Sequence, residues 1–521
     1  MSFGNFFDRA AVAASQILHG YEEATFKHHL EHSVVGIAFD ESAAGSVEAK
    51  TTLSLTVNLL SRLYPRLLLK PRGENASGLL DSLITIAKSI NPLIDFVHES
   101  EEPTFCISVG TSSPNTACPV IYIGSDGWLV QVSSNGPVGS GITQNPFGAS
   151  AAACFAAANT FRFLFSNQLK RADLDSKVRV SLLDWEPSND NPPNPRLDEV
   201  DLDEVHLIGV GAIGNAALWA LARVEAFKGV LHLIDKEVVE LSNLQRYVLT
   251  SQAHQNVSKV LMGAEFLKSS RLKVVAHQQS WGEYLASRNN WRLDRVAVAV
   301  DSANARREVQ ASLPRWIVNA WTQPGDIGIS RHYFLEPQAC LMCLYFPDGT
   351  QKSEDQLVAE AIGMTDAVLE IRNMLYMGTP LSGEFLNRIA VARRIDPNSL
   401  LRFANQPLRT LYVEGICGGA LLEMDTNPGV QRMEVPMNFQ SALAGVMLSA
   451  ELVANAAGFK DHTFPVTTRI DMLKPLGSYL SLPAPNHPSG RCICQDPDYI
   501  AAYRVKYCNG KDCHWQKLHP L

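Results

Sequence analysis

The chain has 521 residues, with 45 Lys plus Arg, 53 Asp plus Glu and a net charge of −8. At roughly 100–200 residues per domain this length implies about three domains, and 46% apolar residues is ordinary for a globular chain. These figures exclude a collagen-like or broadly disordered chain, and a basic nucleic-acid binder that works by neutralising phosphates. The opening MSFGNFFDRA lacks a basic-then-apolar leader, so a cytoplasmic location is expected. The nearest approach to a membrane span, Phe147–Phe165, carries Asn159 and Arg162 and reads as a buried Ala-rich helix. Ten cysteines in such a chain suit reduced thiols, a metal site or catalysis better than a disulfide framework.

In chain order, Val34–Asp40 reads as a strand, ESAAGS as a small-residue turn and Val47–Leu63 as a helix. Arg66–Lys70, Pro103–Gly110 and Pro119–Gly124 continue as strands, and NPFGASAAACFAAANTFRFLF is an Ala-rich helix. Asp184–Asp201 is dense in Pro, Asn and Asp and is expected to be an exposed linker. Beyond it, Glu204–Val210, Val230–Asp235, Asp294–Val300 and Trp316–Ala320 read as buried parallel strands, with Gly214–Phe227 as a crossover helix. Asp348–Val413 is helical by pattern, and VPMNFQSALAGVMLSAELVANAAG is a second small-residue helix. The order strand, small-residue turn, helix, strands, small-residue helix occurs twice. The expected fold is therefore α/β, two doubly wound domains in tandem, with a helical insertion in the second. The expected limits are 1–183, a linker 184–201, 202–347, the insertion 348–413, 414–494 and a tail 495–521.

Gly209-Val210-Gly211-Ala212-Ile213-Gly214 follows a strand and opens a helix, the setting in which backbone N–H groups meet a phosphate. Asp235 ends the next strand, where a carboxylate can bind ribose hydroxyls. Taken alone, this suits a nicotinamide-dependent oxidoreductase equally well. The run that follows, with Asn243, Arg246 and then Lys259, places two cations and an amide beside the loop and suits a triphosphate better than a dinucleotide.

Together GVGAIGN, LIDKEVVELSNLQR, VAVAVDSANARR, CLMC and GICGG resemble the ubiquitin-activating-enzyme superfamily, including the ThiF/MoeB-type bacterial adenylases of sulfur-carrier proteins. The resemblance implies Rossmann-like adenylation domains. Gly209, Gly211 and Gly214 would cradle ATP, Asp235 would hold the ribose, and Asn243, Arg246 and Lys259 would contact phosphates. Asp301 would hold Mg²⁺. Tyr247 stands where the family usually has Gln, and Glu237 where its second Asp lies. An arginine finger from the paired copy is also implied. The matching position is Ala14, and Arg9 is the nearby candidate.

Two cysteine pairs far apart, Cys340 with Cys343 and Cys492 with Cys494, can close a tetrahedral thiolate zinc site of structural type, with Cys508 and Cys513 as substitutes for the second pair. Cys417 lies between glycines where the resembled family has its thioester-forming cysteine. Cys106, Cys118 and Cys154 are expected in the core.

The first copy has FDESAAGS where the second has GVGAIG, and no Asn-x-x-Arg run follows its second strand. The resemblance therefore points to an inactive adenylation-like domain fused to an active one, an intramolecular pseudo-dimer. It is most like the bacterial enzymes that activate a ubiquitin-like protein with a C-terminal glycine for a conjugating enzyme, some of them in antiphage operons. The alternative is the adenylase of a sulfur carrier in thiamine or molybdopterin synthesis. A nucleotide-binding scaffold without turnover is a third reading, which the presence of Arg246, Lys259, Asp301 and Cys417 disfavours.

Overall fold

The computed structural model describes residues 2–347, 354–393, 395–412, 435–460 and 464–508. Two sheets form the body of the chain. The first comprises β1 (Val35–Asp40), β2 (Arg66–Arg72), β3 (Asp95–Phe96), β4 (Phe105–Val109), β5 (Val120–Asp126), β6 (Leu129–Ser133) and β7 (Lys177–Ser181). Its order is β3-β2-β1-β4-β5-β6-β7, parallel through β5 and antiparallel beyond.

The second comprises β8 (Val200–Ile208), β9 (Phe227–Ile234), β10 (Leu272–His277), β11 (Arg295–Val298), β12 (Trp316–Gln323), β13 (Asp326–Tyr333), β14 (Thr467–Ile470) and β15 (Ser481–Leu482). Its order is β10-β9-β8-β11-β12-β13-β14-β15, parallel through β12 and antiparallel beyond. Strand for strand the second order repeats the first, with β8 in the place of β1 and β15 added at the edge. The chain thus folds as two doubly wound, Rossmann-like sheets in tandem.

The near-continuous apolar runs of β1 and β4 are buried at every position, as parallel strands covered on both faces require. The helices Phe147–Leu164 and Asn438–Ala456 are apolar all round and buried along almost their whole length. They pack on each other, the first also on the helix Val47–Leu60 and the second on the helix Ala212–Leu221, so they join the two sheets. Across this layer the Asn438 amide donates to the Leu59 carbonyl at 2.7 Å, and Phe161 meets Phe439 with ring centroids 5.8 Å apart.

Two boundaries differ from expectation. The linker ends at Glu199, and part of it is strapped down. Trp128 donates from its backbone to Asn194 Oδ1 at 3.0 Å and from its indole to the Pro195 carbonyl at 3.0 Å. Prolines give no N–H, so the carbonyls of this run are free to accept from the sheet. Phe227, expected to end a helix, begins β9 instead, so that strand starts three residues ahead of the expected Val230. It pairs with β8 across a bulge between Asp201 and Glu204, where Asp203 has φ 53°.

Residues 347–435 form a compact unit of their own. It contains the helices Glu354–Ala361, Val368–Met377 and Gly383–Arg393, closed by a core including Ile371, Phe385, Ile389 and Leu408. Among the described residues, no helix is long and apolar enough to cross a membrane.

Candidate nucleotide site and thiolate cluster

The site lies at the carboxyl ends of β8, β9 and β11, where the strand order of the second sheet reverses. Gly209 has φ +89°, and a Cβ there would lie 2.6 Å from the Ala299 carbonyl oxygen. A Cβ on Gly214 would lie 2.1 Å from the Gly209 carbonyl, so the loop tolerates only glycine at both positions. Gly211 caps the helix Ala212–Leu221 and is open toward the site.

Asp235 holds this loop in shape. Its carboxylate accepts the Val210 N–H at 2.7 Å and the Glu237 N–H at 2.8 Å. Burial raises its pKa, opposed by Lys259 and by those two hydrogen bonds.

Asn243 shapes the turn Leu241–Gln245 through a capping box with Glu240, its Oδ1 accepting the Glu240 N–H at 3.0 Å. The turn delivers Arg246 and Tyr247. Tyr247 is buried, with its ring 5.6 Å from the Arg246 guanidinium and 5.2 Å from Lys259 Nζ. Lys259 Nζ donates to the Tyr247 hydroxyl at 3.1 Å and pairs with Glu237. Burial lowers the Lys259 pKa, but Tyr247, Glu237 and Asp235 outweigh it and raise it overall, so the amine stays charged.

Arg9, on the helix Phe7–Ser15, also reaches this place, since that helix packs on the turn Leu241–Gln245. Burial and the neighbouring Arg246 bring its pKa down to about 10, against Glu240 and Tyr247. Arg9, Arg246 and Lys259 thus gather around Tyr247, whose hydroxyl lies nearest Gly211, and Arg246 Nη1 is buried without a hydrogen-bond partner among the described residues. Two mutually repelling arginines with an unsatisfied donor are an arrangement an anion relieves. Asp301 stands exposed past the end of β11, and its carboxylate accepts no hydrogen bond among the described residues, which leaves it open to a hard cation.

Sequence reasoning missed three residues here. Asn215 Oδ1 accepts the Leu249 N–H at 2.7 Å. From the first half, Asn58 donates to the Val248 carbonyl at 2.9 Å, and Arg62 donates to the carbonyls of Leu244 and, at 2.9 Å, Thr250. For the first-half pair the sequence signal is an Asn and an Arg at i, i+4 around the end of the helix Val47–Leu60.

The ThiF family profile matches residues 195–492, more than half of the chain. The chain belongs to the ThiF family. Residues 38–166 match a second profile, Prokaryotic E2 family C. Over 510 residues, 98% of both chains, the sequence is 46% identical to a Sinorhizobium fredii (strain NBRC 101917 / NGR234) protein described as "Uncharacterized protein y4jF". Among solved structures, Escherichia coli MccB with AMPCPP and MccA is similar at TM-score 0.34 and 13% identity, over 55% of this chain and 65% of that one. MccB with ATP is similar at TM-score 0.33 and 14% identity, over 54% and 64%. The chain therefore spans slightly less than two thirds of those structures.

In this ThiF-family chain the turn after β1 of the first half is organised by a carboxylate. Asp40, at the end of β1, caps the short helix Glu41–Gly45. Its carboxylate accepts from the Ser42 and Ala43 N–H groups at 3.0 and 3.2 Å, from the Ser42 hydroxyl at 2.6 Å and from the Thr111 and Ser112 N–H groups at 3.0 and 2.8 Å. Against burial, these bonds lower its pKa to about 2. One carboxylate thus accepts from two turns of the first sheet.

The four expected zinc ligands do come together. Sγ–Sγ separations are 3.8 Å for Cys340–Cys343 and 3.5 Å for both Cys340–Cys492 and Cys343–Cys494, and all four sulfurs lie within 4.8 Å of one another. Tetrahedral zinc with Zn–S near 2.3 Å spaces its sulfurs about 3.8 Å apart. The His487 N–H donates to Cys343 Sγ at 3.3 Å, and Phe334, Val466, Tyr503 and Tyr507 pack around the cluster. Cys508 lies outside the four, and Cys417 and Cys513 lie outside the described residues.

A second group, Glu204, His206 and His232, is close enough to hold a cation, but Arg288 already donates to His206 Nε2 at 2.7 Å and to Glu204 at 3.2 Å.

Proposed function

We propose that this chain is an ATP-dependent activating enzyme for a ubiquitin-like protein. It adenylates the C-terminal glycine carboxylate, receives the acyl group as a thioester on Cys417 and passes it to a conjugating enzyme. The observation that carries this reading is the gathering of Arg9, Arg246 and Lys259 around Tyr247 beside Gly211, with Arg246 Nη1 lacking a hydrogen-bond partner among the described residues. ATP-dependent adenylation is the chemistry of the ThiF family, and the proposal adds to it the ubiquitin-like substrate and the thioester.

In the proposed reaction a carboxylate oxygen bonds to the α-phosphorus and pyrophosphate leaves. The barrier is that of bringing an anion against an anion, and the cations lower it by screening both. Lys259 suits the task because it is buried, charged and fixed by Tyr247. Asp235 is placed to accept from a ribose hydroxyl while holding the loop. Asp301 would hold Mg²⁺, which supplies charge neutralisation on the phosphates. The Cys417 thiolate then attacks the acyl carbon and AMP leaves. The four-cysteine cluster would hold zinc as a structural clip between the segment after β13 and the chain beyond β15.

We read the first half as an adenylation plan without chemistry. Its sheet order and the carboxylate of Asp40 in the turn after β1 support this. The family name matched by residues 38–166 suggests a conjugating module instead. Of the cysteines in that span, Cys118 alone reaches the surface.

The test is incubation with ATP, Mg²⁺ and candidate ubiquitin-like proteins, read on a non-reducing gel. A reductant-sensitive adduct lost in Cys417→Ala supports the proposal. An adduct lost instead in Cys118→Ser would move the thioester to the first half. Pyrophosphate exchange without an adduct would favour sulfur-carrier activation.

A further inference from the structure

The two sheets share a strand order but not their cover. In the second half, the helix Trp281–Ala286 lies between β10 and β11, and Ala303–Ala311 between β11 and β12. Ile208, Ile234 and Val298 stand side by side on β8, β9 and β11. They are buried in one core cluster with Trp281, Tyr284 and Val309 of those helices. In the first half the matching connections, residues 97–104 and 110–119, contain no helix. The same lack of cover leaves Cys118, expected in the core, only part-buried.

The strands of the first sheet carry the same difference. Residues opposite each other in the register share a face, and side chains repeat with a period of two. On β1, β2 and β4 one row is large and apolar, with Ile37, Leu69 and Ile107 side by side. The other row places Ala38, Lys70 and Ser108 where the second half has Ile208, Ile234 and Val298. A parallel sheet ordinarily buries apolar side chains on both faces. Here one face is small and polar, and a crevice of about 300 Å³ opens over Ala38 and Ser108. It is no remnant of a nucleotide cleft, because the equivalent residues of the second half are core.

Asp40, Lys70, Arg72 and Glu99 supply the charges of the crevice wall. Asp40 is spent, since its carboxylate accepts from the Ser42, Ala43, Thr111 and Ser112 N–H groups. Lys70, Arg72 and Glu99 make no side-chain hydrogen bond or ion pair among the described residues. Glu102 lies near Lys70 but is taken by the Ala117 and Cys118 N–H groups and the Thr116 hydroxyl. Two free cations against one free carboxylate leave a single positive charge. A monoanion matches that charge, whereas a dianion beside Asp40 exceeds it. The volume is at the lower end of small-molecule sites, roughly 300–1,000 Å³. We propose that this crevice is a second ligand site, which takes a small hydroxycarboxylate. Lys70 and the planar fork of Arg72 hold the carboxylate, and Glu99 accepts from the hydroxyl.

The full chain is titrated with D-glycerate and with L-lactate, read by calorimetry and ligand-observed NMR. Glycerol and glycerol phosphate are the neutral and dianionic comparisons. At least one hydroxycarboxylate is expected to bind with a dissociation constant of about 1 mM or tighter, and both comparisons at least about tenfold more weakly. Arg72 is exposed, and Arg72→Ala is expected to weaken binding by about 10–100-fold through loss of a charge-assisted contact. Ala38→Val fills the floor with a strand-compatible side chain and is expected to weaken binding while both cations remain. The exposed Arg72→Ala change decides the matter if the buried Ala38→Val chain folds poorly. Arg246→Ala should bind as wild type does, which separates the crevice from the nucleotide site. No binding of either hydroxycarboxylate at tens of millimolar would overturn the proposal. So would binding that survives Arg72→Ala, binding that is lost in Arg246→Ala, or a preference for glycerol phosphate.

Discussion

Arg62 and Leu244 stand 182 positions apart, yet the Arg62 guanidinium, wholly buried, donates to the Leu244 carbonyl. Leu244 lies between Asn243 and Arg246, so the turn that delivers the phosphate cation is held by a side chain of the other half. A second Arg62 bond reaches Thr250 at 2.9 Å, and Nε donates to Asn58 at 3.0 Å. The first half thereby buttresses the candidate site of the second.

Replacing Arg62 with Ala leaves two buried carbonyls unsatisfied. A loss of about 2–4 kcal/mol is expected, measured as a lower urea midpoint. ATP affinity should fall as well, because the turn carrying Arg246 loses its support. Arg62→Lys should not restore either quantity, since one ammonium cannot span three acceptors in a planar fork. Unchanged ATP binding in a folded Arg62→Ala chain would show that the turn holds itself.

Asp301 is exposed, and its carboxylate accepts no hydrogen bond among the described residues. Asp301→Ala should therefore leave stability within about 0.5 kcal/mol of wild type while reducing Mg²⁺-dependent pyrophosphate exchange by at least about 100-fold. Full exchange in Asp301→Ala would remove this residue from the metal site.

The histidines of the second sheet give the fold an acid limit. His206 stacks on His232 with centroids 4.8 Å apart, and His232 Nδ1 lies 2.9 Å from His277 Nε2. Burial first, then His232 and Arg288, lower the His206 pKa to about 2, and burial also lowers those of His232 and His277. In the unfolded chain these rings take a proton near pH 6.5, whereas in the fold they take it only at lower pH, His206 lowest of all. Below about 6.5 the unfolded state binds more protons, so stability is full above that value and is lost as pH falls. For His206 alone the slope is about 1.4 kcal/mol per pH unit. A urea midpoint series from pH 7.5 to 5 should show this loss, and His206→Gln should reduce its slope by about one proton. An unchanged slope in that variant would place the acid sensitivity elsewhere.

The four-cysteine cluster should carry one equivalent of zinc, and its removal should lower the melting temperature. Cys492→Ser should reproduce both effects without disturbing the first sheet. Zinc well below one equivalent in freshly prepared wild-type chain, with the fold intact, would show four unmetallated thiols.

Much of this was legible because local chemistry and fold agree. The glycine loop, Asp235 and the Asn243–Arg246 run sit on consecutive elements of one half, so spacing alone brings them together. The duplicated order was readable from strand and small-residue helix patterns, since each apolar run is buried in place. What stayed hidden depends on contacts between the halves. Nothing near Arg62 or Asn58 in sequence points to residues 244–250. FDESAAGS shows only that the glycines of the second half are missing there; that Asp40 holds the turn appears once the Thr111 and Ser112 N–H groups are seen to reach it. The expected linker run is mostly exposed, but composition could not show the Trp128 donors that hold Asn194 and Pro195.

The most direct measurement is the stoichiometry of Mg·ATP binding to the full chain by isothermal titration, with Arg246→Ala and Asp40→Ala as comparisons. One site per chain is expected, strongly weakened in Arg246→Ala and unchanged in Asp40→Ala. Two sites in wild type, or one that survives in Arg246→Ala, would contradict an account in which only the second half takes the nucleotide.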